Sequence, residues 1–86
     1  MTRKQKLLER LMASPHDFTY DELKRLLLSV DFVEMKNGKT SGSRVLFVHQ
    51  PTQLFLRIHK PHPVNCLKMY QIRLVIDTLR KVEEIE

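Results

Sequence analysis

The chain of 86 residues holds a single cysteine, Cys66. One thiol excludes an intrachain disulfide and suits a reducing compartment. Long apolar runs are missing too: none approaches the roughly 20 residues that a membrane-spanning helix needs. The basic N-terminus lacks the apolar core of a signal peptide. A cytoplasmic protein with no membrane partner is therefore expected. There is no internal repeat, low-complexity tract or linker, so residues 1–86 are expected to form one domain, with 1–15 as an N-terminal helical extension. The hydrophobic fraction of 42% is ordinary for such a domain. Acids are in the minority, 10 against 15 Lys and Arg, for a net charge of +5. That excess suits a polyanionic partner or an acidic protein. It equally suits a plain solvated basic surface.

What is present centres on residues 39–63. Arg44–His49 and Leu54–His59 are short runs rich in Val, Leu, Phe and Ile, bounded by turn formers. If Gln50-Pro51-Thr52-Gln53 closes them into an antiparallel hairpin, residue 44 lies opposite 59, 45 opposite 58 and 47 opposite 56. Side chains alternate between the two faces of a strand. Val45, Phe47, Leu56 and Ile58 then share one apolar face. Arg44, Arg57 and His59 share the other with Leu46, Val48 and Phe55. A slip of one residue would exchange the faces and dissolve the cluster.

The flanking segments read as helices and one more strand. Thr2 and Gln5 stand at capping-box spacing, and Leu7, Leu8, Leu11 and Met12 make a narrow apolar stripe, so Thr2–Ala13 is a short basic helix ended by Ser14-Pro15. Whether it packs on the domain or awaits a partner is open. Thr19 and Glu22 form a second capping-box pattern, and Leu23, Leu26, Leu27 and Val30 follow at core spacing. Phe32–Met35 reads as a strand. Lys36-Asn37-Gly38-Lys39 offers a hairpin turn, because Asn-Gly tolerates positive φ, and Thr40–Ser43 lengthens it or forms a bulge. Pro61 and Pro63 end strand pairing around His62. Asn65 is placed to cap a last helix over Cys66–Val82, with Met69, Ile72, Val75, Ile76, Leu79 and Val82 as its buried stripe.

This order implies an α+β domain: a three-stranded antiparallel sheet with its helices on one face. An α-β-β-β-α core with an extra N-terminal helix resembles the double-stranded-RNA-binding fold. Architecture of that kind does not name a function.

Particular motifs do carry a resemblance. Gly42-Ser43 opens the strand that holds Phe47, Pro61-His62-Pro63 follows the hairpin, and Leu67, Tyr70, Ile72, Val75 and Ile76 pattern the last helix. In that order and spacing, over roughly residues 20–80, the chain resembles HicA toxins, the small mRNA interferases of type II toxin–antitoxin pairs. The resemblance implies endonucleolytic cleavage of mRNA and inhibition by a HicB-like antitoxin. HicA-type sequences commonly carry a catalytic histidine directly after Gly-Ser, and here that position is Arg44. Arginine stays protonated at accessible pH and cannot serve as a general base.

The hairpin register supplies another candidate, His59, directly across from Arg44. Imidazole exchanges protons near neutrality, and Arg44 or Arg57 can hold phosphate oxygens in bidentate fashion. Lys39 and Lys60, at the two ends of the hairpin region, extend the phosphate-binding set. His62 is a second proton-transfer group, an RNA-stacking ring or a plain loop residue. His49 faces the core side and His16 lies in a loop, so neither is a site candidate. His59, His62 and Cys66 give only three zinc-type ligands, constrained by two prolines, and no metal site or cofactor is assigned. Gly38-Lys39-Thr40 lacks the earlier glycine of a P-loop. Beside the nuclease stand two other readings, a non-catalytic RNA-binding module that has lost the histidine and a domain that binds an acidic protein.

Overall fold

The computed structural model describes residues 3–13, 16–35, 44–61 and 65–82. The order is α1 (Arg3–Met12), α2 (Tyr20–Ser29), β1 (Phe32–Met35), β2 (Arg44–His49), β3 (Leu54–His59) and α3 (Met69–Lys81). The fold is α+β. Its sheet is antiparallel in the order β1-β2-β3, with α2 against β1 and α3 against β3.

Each element follows from local chemistry. Thr19 caps α2: its hydroxyl accepts the Glu22 amide at 3.1 Å, and the Glu22 carboxylate accepts the Thr19 amide at 3.1 Å. Two otherwise orphaned donors are thereby satisfied. Leu23, Leu26 and Leu27 point to the core, while Leu28 is exposed. Asp31, at φ 68°, turns the chain from α2 into β1. The β2–β3 turn closes with the Gln53 amide donating to the His49 carbonyl at 2.7 Å, and Gln53 takes φ 61°. The observed pairing is the expected one, Arg44 with His59, Val45 with Ile58 and Phe47 with Leu56.

One core lies between sheet and helices. Phe32, Val45, Phe47, Leu56 and Ile58 from the strands meet Phe18, Leu23, Leu26 and Leu27 and the inner face of α3. α1 belongs to this core, since Leu11 is fully buried and Leu7 and Leu8 pack against it. Arg10 fastens it. The guanidinium donates to the Glu22 carboxylate at 2.7 and 3.1 Å and to the Asp17 carbonyl at 2.9 Å, and lies 5.6 Å from the Phe18 ring centroid. The N-terminal helix therefore packs on the domain.

α3 departs from expectation. It begins at Met69, with Lys68 as its N-cap, and Asn65 caps nothing. The cause is a non-local pairing: the Asn65 carbonyl accepts the Tyr20 amide at 3.2 Å, and the Leu67 amide donates to the Phe18 carbonyl at 2.8 Å. These bonds frame an antiparallel bridge between Thr19 and Cys66. Leu67 is buried there. Residues drawn into that bridge cannot start a helix. The Thr2 capping position, the Ser14-Pro15 stop, the turn and bulge over 36–43 and the tail 83–86 lie outside the described residues.

Candidate functional site

The strand face turned away from the helices carries Val33, Met35, Arg44, Leu46, Val48, Phe55, Arg57 and His59, by register and alternation. No carboxylate is among them. The only acid in the described strands, Glu34, projects toward the helices, where its carboxylate lies 3.8 Å from the Lys24 ammonium. Arg44 and His59 are direct cross-strand partners, which sets their Cβ atoms roughly 5 Å apart. Arg57 stands two residues before His59 on the same face. All three are exposed. Among the described residues, none of the three enters a side-chain hydrogen bond or ion pair.

Beside these three side chains the face is apolar. Phe55 is 54% and Met35 44% exposed, while Val48, opposite Phe55, is buried without joining the helix-side core. Val48 is therefore covered on the open face, as a floor beneath its neighbours. The arrangement can hold an anion with two guanidiniums, transfer a proton through one imidazole, and offer apolar area to a flat group.

Lys60 does not join the cluster. The next residue along the strand points the other way, and its ammonium lies 5.6 Å from the ring centroid of Tyr20, at the start of α2. Lys39 and His62, the other two site candidates, lie outside the described residues. Cys66 is half-buried in the bridge to Thr19. Among the described residues, no group of three His, Cys, Asp or Glu side chains could hold a metal ion. His49 is buried at the hairpin end, with Nδ1 2.9 Å from the Thr52 hydroxyl and its ring 5.0 Å from that of Phe32. Its role there is to hold the turn.

Two features of the site had little or no sequence signal. Gln71 is buried, and its Nε2 donates to the His59 carbonyl at 2.9 Å. Its Oε1 accepts the Lys68 amide, also at 2.9 Å, so the same side chain closes the first turn of α3. A glutamine three positions after the N-cap was the only hint. The second feature is a groove of about 350 Å³ along the free edge of β3, where Phe55 and Arg57 face Leu74, Thr78 and Lys81 of α3. No helix of the described residues is long and apolar enough to cross a membrane. Compared with protein-family models, curated proteins and solved structures, the chain matches none.

Proposed function

We propose that the chain is a HicA-type toxin, a cytoplasmic endoribonuclease that cleaves mRNA on the open face of its sheet and is held inactive by a HicB-like antitoxin. The observation that supports it most is Arg44 opposite His59, with Arg57 beside them, on an exposed face free of carboxylates among its described residues. The α-β-β-β-α order is compatible with the double-stranded-RNA-binding-like architecture that the HicA resemblance implies.

The chemistry needs only these side chains. His59 accepts the proton of a ribose 2′-hydroxyl, and the freed oxygen attacks the adjacent phosphorus. The bond from phosphorus to the 5′-oxygen breaks, and that oxygen takes a proton from water or from the imidazolium. A 2′,3′-cyclic phosphate and a 5′-hydroxyl result. Arg44 and Arg57 hold the non-bridging oxygens as charge gathers on them. A positioned base contributes about 10²–10⁴ in rate and a positioned donor about 10²–10³, enough for a slow nuclease.

The test is cleavage of RNA by purified protein in EDTA, against a His59→Ala variant of unchanged melting temperature. The expected result is cleavage by the parent protein and a loss of about 10²-fold or more in the variant. Equal rates in the two would remove His59 from the mechanism. Arg44 in the place of a histidine favours a second reading, a non-catalytic RNA-binding module of the same architecture. RNA binding without cleavage under any condition would select it.

A further inference from the structure

We infer that the free edge of β3 is a nucleotide subsite for single-stranded RNA, with Phe55 as the ring on which a base stacks. This rests on the RNA-binding part of the function proposed above and names the form of RNA that the face takes.

Phe55 is the most exposed residue of the sheet's apolar set, at 54%, and Val48 supports it from the paired strand. It opens onto the groove of about 350 Å³ between β3 and α3. Leu74, 43% exposed, forms the opposite wall. The Thr78 hydroxyl donates to the Leu74 carbonyl at 2.8 Å, so its one proton is committed within the helix. Arg57 and Lys81 supply positive charge to the groove, and no acid among the described residues lines it.

An aromatic ring in an apolar slot with cations at its margin suits a base and its phosphates, because every base has a π-face and the backbone is anionic. Arg57 belongs both to the groove and to the Arg44–His59 cluster. A strand bound along β3 would thus place one nucleotide on Phe55, its neighbouring phosphate near Arg57, and a phosphate further along beside His59, roughly 13 Å from Phe55. Duplex RNA keeps its bases stacked inside the helix and cannot offer one to the ring. Stacking on the ring reads no base edge, so binding should tolerate any base.

The experiment measures binding by fluorescence anisotropy in a His59→Ala background, where cleavage does not intervene. The probes are a ten-nucleotide oligouridylate, the same strand with abasic sugars, and a blunt RNA duplex. Expected are preference for the single strand and a loss of about 5- to 150-fold on Phe55→Ala. Phe55→Trp should retain binding, its emission quenched by the oligouridylate but not by the abasic strand. Phe55→Leu should behave like alanine. Unchanged affinity in Phe55→Ala, or a duplex that binds as tightly as the single strand, overturns the subsite and leaves the proposed function standing. No binding of any RNA by the parent protein overturns both. An oligoglutamate peptide that binds as tightly, with the same dependence on Phe55, would reassign the groove to an acidic protein.

Discussion

The side-chain amide of Gln71 reaches from the first turn of α3 to the backbone carbonyl of His59, at 2.9 Å. Because its oxygen also accepts the Lys68 amide, one buried side chain joins the start of α3 to the end of β3. The strand end that presents the imidazole is thereby held from behind by the helix. A residue with no place on the open face fixes the backbone of one that has.

Gln71→Leu keeps most of the volume and deletes both hydrogen bonds. It leaves the Lys68 amide and the His59 carbonyl unpaired, at a cost of roughly 1–3 kcal/mol. Urea denaturation should show that loss, with faster hydrogen exchange at the Lys68 amide. Unchanged stability and unchanged exchange would mean that water replaces the side chain.

Arg44→Ala should leave stability within about 0.5 kcal/mol of the parent, as usual for an exposed position. RNA affinity should fall, and the slope of log K against log salt should shrink by about one phosphate contact. A collapsed melting temperature would instead make Arg44 a structural residue.

Acid should expose the fastening of α1. The Glu22 carboxyl is lowered to about 2, first by the hydrogen bond from Arg10 and then by the Thr19 amide and hydroxyl, against the opposing effect of burial. Its folded pKa lies below the unfolded value of about 4.3. The contribution is therefore full above that value and is lost as pH falls through about 2. Glu22→Gln cannot ionise, so its stability should vary less with pH across that window. An acid-unfolding profile identical to the parent's would refute the assignment.

Alkali should act through Tyr20. Burial, and after it the charge of Glu34, raises this phenol to about 12. Its hydroxyl is buried and makes no hydrogen bond of regular geometry among the described residues, although the Glu34 carboxylate lies near enough to add to the rise. A folded pKa above the unfolded value of about 10 means a contribution complete below pH 10 and lost as pH climbs through about 12. Tyr20→Phe keeps the ring under Lys60 and removes the unpaired oxygen. Its stability at neutral pH should equal the parent's or exceed it by about 1 kcal/mol, and the alkaline loss should be smaller. A clear destabilisation at pH 7 would show that the hydroxyl is partnered after all.

The hairpin, its register and the α2 cap were legible in the residues because their causes are local. Alternation puts Val45, Phe47, Leu56 and Ile58 on one face, the Gln50–Gln53 turn sets which residues pair, and Thr19 meets Glu22 within a single helical turn. That pairing alone places Arg44 across from His59. Other features depended on residues far apart in the chain. Asn65–Leu67 look like a helix start until Phe18 and Tyr20 take their backbone groups. Arg10 looks like one more solvated cation until Glu22 and Asp17 come round to it. Lys60 belongs with the phosphate-binding cations until its alternation carries it to Tyr20. The groove at Phe55 exists only because α3 brings Leu74 and Lys81 alongside β3. Periodicity and capping act over a turn or a pleat, whereas these contacts form only when packing of the shared core sets separate elements side by side.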